Sequence, residues 1–150
     1  MTPSPYSFFE WQEPNFRAVN KFYKRQKHKG SASGEERVFV ISKQLAADES
    51  EIVAAVRLVP AESYYWLRSL YVDQSLRGKG LGSQLLSHIN QKINMDIHCF
   101  PYTHLEGFYQ TSGYEITPVS SAPQALQQLY ERYNRKGDSI LFMSRKIAKT

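Results

Sequence analysis

The run Leu67–Leu86, LRSLYVDQSLRGKGLGSQLL, decides how this chain folds. Trp66 to Val72 reads as an apolar strand, and Asp73-Gln74-Ser75 breaks its pattern. Arg77-Gly78-Lys79-Gly80-Leu81-Gly82 then turns the chain into a helix in which Leu81, Leu85, Leu86, Ile89 and Ile93 make one apolar stripe. A corner of this kind has a physical use. Glycine carries no Cβ, so a ligand can approach the backbone closely, and the first N–H groups of a helix have no partner within it. Together with the positive end of the helix dipole and the cations Arg77 and Lys79, those donors suit a phosphate or diphosphate. The spacing excludes two common phosphate motifs. G-x-x-x-x-G-K-[ST] is absent, and Gly78-Lys79-Gly80 followed by Gly82 and Ser83 does not match G-x-G-x-x-G.

Upstream, Tyr6–Trp11 reads as a first strand, and Pro14 as the first residue of a helix with Phe16, Val19, Phe22 and Tyr23 on its apolar face. The helix ends in a basic cluster, Lys21–Lys29, and Gly30-Ser31-Ala32-Ser33-Gly34 has the composition of a flexible loop. Arg37–Ser42 and Glu51–Val59 read as a hairpin around Ala47-Asp48-Glu49-Ser50, stopped by Pro60. Downstream, Asp96–Phe100 is a strand. Thr103 and Glu106 fit a T-x-x-E capping box for a short helix carrying Phe108 and Tyr109, stopped by Gly113. Tyr114–Thr117 reads as an edge strand, Pro123–Asn134 as an amphipathic helix and Ser139–Ile147 as a last strand. The order β-α-β-β-β-α-β-α-β-α-β predicts one domain over 1–150. Its fold class is α+β, a mixed and mostly antiparallel sheet with helices on its faces.

The segment Leu70–Leu86 fits [QR]-x-x-G-x-[GA] directly after a strand ending in Val72. It resembles the acetyl-CoA-binding motif of the GNAT superfamily of N-acetyltransferases. A second match lies downstream, where Phe108-Tyr109-Gln110-Thr111-Ser112-Gly113-Tyr114 is similar to that family's F-Y-x-x-x-G-[FY] segment. The resemblance implies a GNAT-like fold in which the strand before the glycine corner and the strand after its helix are splayed parallel neighbours. It also implies acetyl-CoA as cosubstrate without a metal. Arg77, Gly78, Lys79, Gly80, Leu81, Gly82 and Ser83 would cradle the diphosphate, while Leu70, Tyr71 and Val72 would take the pantetheine arm. The helix at Pro123–Asn134 departs from the family, which usually joins its last two strands by a loop. Tyr102 and Leu105 stand where the family often has a cofactor-holding Asn and an Ala.

The expected activity is transfer of acetyl to a primary amine by direct attack in a ternary complex. The alternative is a non-catalytic acyl-CoA sensor of the same fold. Tyr109 is the candidate general acid, because a phenol with a pKa of about 10 stays protonated at neutral pH; packing the helix onto the sheet is its competing role. His104, Glu106 and His98 are candidate bases, with Glu106 also explained by the capping box and His98 by the sheet. Cys99 reads as a small core residue. His98, Cys99 and His104 fit no tight metal spacing.

The formal charge of +5 and pI of about 9.3 favour anionic ligands without choosing among them. Arg57, Arg68 and the Lys21–Lys29 cluster could receive an acidic amine, small molecule or peptide; the competing reading is a solvated helix end, with some of these cations answering the coenzyme's own phosphates. A nucleic-acid partner lacks any known motif. A lone Cys99 precludes an intrachain disulfide, and no leader or run of about 18 apolar residues is visible, so a cytoplasmic monomer or homodimer is expected.

Overall fold

Val38, Phe39, Val40 and Ile41 are buried in succession, as a strand covered on both faces requires. In the computed structural model, which describes residues 4–147, they lie in β2 (Arg37–Ala46), which pairs antiparallel with β3 (Glu49–Pro60) and β1 (Tyr6–Glu10). The hairpin is longer than expected, leaving only Ala47-Asp48 as its turn. The remaining strands are β4 (Tyr64–Val72), β5 (Asp96–Cys99), β6 (Glu115–Ile116) and β7 (Met143–Arg145). The helices are α1 (Arg17–Arg25), α2 (Leu81–Lys92), α3 (Glu106–Gln110) and α4 (Gln124–Arg135). Among the described residues seven strands hydrogen-bond in the order β1-β2-β3-β4-β5-β7-β6, with β4 and β5 parallel.

Two compact units divide the chain. The first runs to Pro60 and resumes over Arg68–Ile93. On one face of its strands, Val19, Phe22 and Tyr23 of α1 pack with Ala32, Val38, Val40 and Ala55. The alternate residue Phe39 looks the other way, toward His88 of α2, with ring centroids 6.0 Å apart. Each large side chain fully buried there contributes about 1.5–3 kcal/mol. Two expectations fail in this unit. Pro14 is not helical; α1 starts at Arg17, whose N–H donates to Asn15 Oδ1 at 3.0 Å, while the Trp11 indole donates to the Asn15 carbonyl at 2.9 Å. Nor does the loop 30–34 hang loose, because the Asn20 side chain bonds both the N–H and the carbonyl of Ala32.

The second unit comprises Ala61–Leu67 and the chain from Asn94 onward. Ala122, Leu126 and Phe142 form its core, with Tyr64, Trp66, Phe100, Val119 and Tyr130 packed against them. The capping box does not form. Thr103 sits inside a 3-10 turn, Thr103–Leu105, with its N–H donated to the Ser139 carbonyl, and neither that turn nor α3 has a side-chain cap. The last strand is also shorter than expected. Ile140 bridges to Tyr102 and the Leu141 N–H turns to the Pro101 carbonyl, so regular pairing begins only at Met143.

Candidate active site

The glycine corner is built as the sequence implies. Gly78 and Gly80 are left-handed, with φ of 81° and 82°, and Gly80 is the N-cap of α2 without any side chain closing it. A Cβ at Gly78 would meet nothing within 4 Å, and one at Gly80 only the Gln84 side chain at 3.8 Å. The space around Gly78 and Gly80 is thus open, beside exposed Arg77 and Lys79, and no side chain caps the first N–H groups of α2. Leu81 and Gly82 are buried under the corner, and Ser83 is half-buried. Arg77 Nε donates to the Val72 carbonyl at 3.0 Å, which ties the corner to the end of β4. A cavity of about 550 Å³ beside it is lined by Arg25, Gln26, Lys27, Asp73, Gln74, Ser75 and Arg77. The hydroxyl and N–H of Ser75, with the Gln26 side chain, hold the Asp73 carboxyl below its usual range.

Parallel pairing of β4 stops at Leu67, opposite Cys99, and Arg68–Val72 runs on beyond it. Within that stretch Ser69 has φ 60°, a left-handed conformation in a residue that bears a side chain. Three residues hold it. Tyr23 Oη donates to the Ser69 carbonyl at 2.7 Å, Arg57 Nη1 donates to Ser69 Oγ at 3.3 Å, and His28 Nε2 lies 3.0 Å from the same Oγ. Arg57 is itself buried and makes a two-point pair with Glu36, at 2.9 and 2.7 Å. It is thus not available to receive an acidic acceptor as expected from the sequence; its charge is used inside the protein. His28 reaches Ser69 because α1 ends in a paired-bond stop. The His28 N–H donates to the Tyr23 carbonyl and the Lys27 N–H to the Lys24 carbonyl, with Lys27 left-handed at φ 60°.

The second unit holds the remaining candidates. Tyr109 is buried edge-on against Phe108 and Tyr114. Burial pushes its phenol well above its usual value, with smaller contributions from Cys99 and Tyr114. The Cys99 thiol is raised by burial in the same way. His98 is a sheet histidine: its Nδ1 is 2.6 Å from Ser144 Oγ, its ring packs with those of Tyr64 and Phe142, and burial lowers its pKa. His104 is exposed and stacked on Tyr102, and Glu106 is half-buried in the first turn of α3. Among the described residues no group of three His, Cys, Asp or Glu is placed to hold a metal, and no helix is long and apolar enough to cross a membrane. Sequence reasoning missed Tyr23, His28, Glu36 and Ser69. Only the missing glycine after α1 hinted that its end was unusual.

A family profile described as the acetyltransferase (GNAT) domain matches residues 34–116, more than half of the 150. The chain belongs to the GNAT family and is an acyltransferase. No curated protein matches it in sequence. Among solved structures it is similar to the ribosomal-protein-S18-alanine N-acetyltransferase of Escherichia coli, at 13% identity and a TM-score of 0.67, with 97% of this chain and 96% of that one covered. It is also similar to an aminoglycoside 6'-N-acetyltransferase complexed with coenzyme A, at 14% identity and 0.65, covering 96% and 98%. N-acetylglutamate synthase from Neisseria gonorrhoeae, complexed with coenzyme A and N-acetyl-glutamate, gives 13% and 0.65. That match covers 99% of this chain, which spans only 36% of the synthase.

Proposed function

We propose that the chain transfers the acetyl group of acetyl-CoA to a primary amine, with both substrates bound together and the amine attacking directly. The observation that carries this reading is the open, uncapped start of α2, with two left-handed glycines and two cations around it. The N–H groups between Gly78 and Ser83 would hold the diphosphate, and the backbone of Leu70, Tyr71 and Val72 the pantetheine arm. Acetyl-CoA brings an activated thioester. An aimed backbone donor on such a carbonyl is worth a few kcal/mol of barrier, about 2.7–4 in comparable sites.

Tyr109 is our choice of proton donor to the departing thiolate. Burial keeps its phenol protonated at neutral pH. His104 and Glu106 remain the sequence-based candidates for receiving the amine's proton. The basic lining of the 550 Å³ cavity favours an acceptor that carries an acidic group.

Release of CoA from acetyl-CoA, followed across a panel of primary amines with and without carboxylates, tests this. Amine-dependent release, fastest with an acidic amine, is expected. Binding of acetyl-CoA with no amine-dependent release would contradict it.

A further inference from the structure

We propose that Ser69 and His28 form a proton relay that takes the proton from the attacking amine. It rests on the acyl-transfer reading above and names the residues that complete its proton balance.

The geometry around Ser69 Oγ accommodates this direction of transfer. A guanidinium can only donate, so Oγ accepts from Arg57 Nη1 at 3.3 Å. His28 Nε2 lies 3.0 Å from the same Oγ, and the relay uses the tautomer in which the hydroxyl donates to Nε2 and the ring carries its own proton on Nδ1. One lone pair of Oγ is left over, and an amine N–H can donate to it. As the N–C bond forms and the C–S bond breaks, Oγ accepts the amine's proton and passes its own to Nε2. Ser69 emerges unchanged, His28 leaves as imidazolium, and the electron pair departs on the thiolate.

Placement supports the assignment. Ser69 lies in the stretch of β4 that runs past its parallel partner and leads to Leu70–Val72, the segment assigned to the thioester arm. Its left-handed backbone costs about 1–3 kcal/mol. Such strain persists only where the surroundings enforce it, and here Tyr23, Arg57 and Glu36 act as positioning residues. The groups facing His28 are Arg57, Arg68, Tyr23, Tyr71 and Ser69, with Lys27 and Lys29 beside it in sequence. The Tyr71 and Tyr23 rings lie 4.5 and 5.2 Å from the imidazole centroid. Partial burial first, then Arg57 and Arg68, hold the imidazole below its ordinary value, so it is neutral and able to accept at neutral pH. The same two cations disfavour an ammonium at this place and select the acceptor in its neutral form. Tyr23 is excluded as the base because burial pushes its phenol up, and Glu36 because both its oxygens are held by Arg57.

The test uses the full chain, acetyl-CoA and ethylamine in excess as the probe amine, with His28→Gln, His28→Ala, Ser69→Ala, His104→Ala and Glu106→Gln. In the parent protein kcat/KM, expressed per concentration of neutral amine, should fall on the acid side with a midpoint below about 6.5. His28→Gln and Ser69→Ala should each lose about a hundredfold at neutral pH, the scale of a single general base. They should also abolish that acid limb while binding acetyl-CoA within twofold of the parent. Added imidazole should restore His28→Ala, which a packing role could not produce. Nitrogen NMR of the His28 ring should show a neutral imidazole with hydrogen on Nδ1. Hydrogen on Nε2, an acid limb that survives in His28→Gln, or one that vanishes in His104→Ala or Glu106→Gln instead, would overturn the relay. Failure of the parent protein to bind acetyl-CoA would overturn the acyl-transfer reading itself, which the ring NMR result does not depend on.

Discussion

Two left-handed bends in the first unit are made by opposite means. At Gly78 and Gly80 the residue type alone permits the conformation, and nothing crowds the space where a side chain would be. At Ser69 a side chain is present, and the bend is imposed by partners 46, 41 and 12 residues away in the sequence: Tyr23, His28 and Arg57. The first bend opens backbone donors to a ligand. The second fixes a residue from two sides, its carbonyl by Tyr23 and its hydroxyl by Arg57 and His28. A bend encoded by glycine depends on its own residue; one enforced by tertiary contacts fails when a distant residue changes.

The comparison breaks most sharply at Glu36. Glu36→Gln leaves the Arg57 guanidinium, 5% exposed, without its counter-charge, and should cost about 3–5 kcal/mol in chemical denaturation. Replacing both members, Glu36→Leu with Arg57→Met, should recover most of that loss. A cost below about 1 kcal/mol, as for a surface pair, would show that Ser69 is not held from this side.

Gly80→Asp tests the other bend. It adds a Cβ to a left-handed position, at about 1–2 kcal/mol, and sets a carboxylate among the opening amides of α2. Titration calorimetry should find CoA affinity reduced a hundredfold or more while the protein stays folded. Undiminished affinity would remove the diphosphate from the corner.

A double-mutant cycle sharpens the contrast at the smallest scale. Tyr23→Phe removes the donor to the Ser69 carbonyl and should cost about 1 kcal/mol. In a Ser69→Gly background, where the residue holds a positive φ unaided, the same change should cost measurably less. Equal costs would mean that Tyr23 does not enforce the bend.

How much could be read in advance follows the same division. The alternation of strands and helices was legible throughout, because each buried stripe repeats at its own period: Leu81, Leu85, Leu86 and Ile89 in α2, and the run Val38–Ile41 in β2. The glycine corner was legible because its conformation is set by residue type. What long-range contacts decide was not. Thr103 and Glu106 have the spacing of a capping box, yet the bridge between Tyr102 and Ile140 and the Ser139 carbonyl draw Thr103 into a 3-10 turn. The glycine- and serine-rich loop looked flexible, but Asn20 on α1 clasps Ala32 from both sides. His28 was counted among the cations of a basic helix end. Lys27, turning left-handed without glycine's help, carries it to β4 instead.

Titrating CoA into nitrogen-15-labelled protein and following each backbone amide addresses the corner most directly. The largest shifts should fall on Gly78, Gly80, Leu81, Gly82 and Ser83, whose N–H groups would exchange water for phosphate oxygen. Saturable binding that leaves those amides unmoved, with its shifts elsewhere in the chain, would mean that the coenzyme rests on another part of the protein.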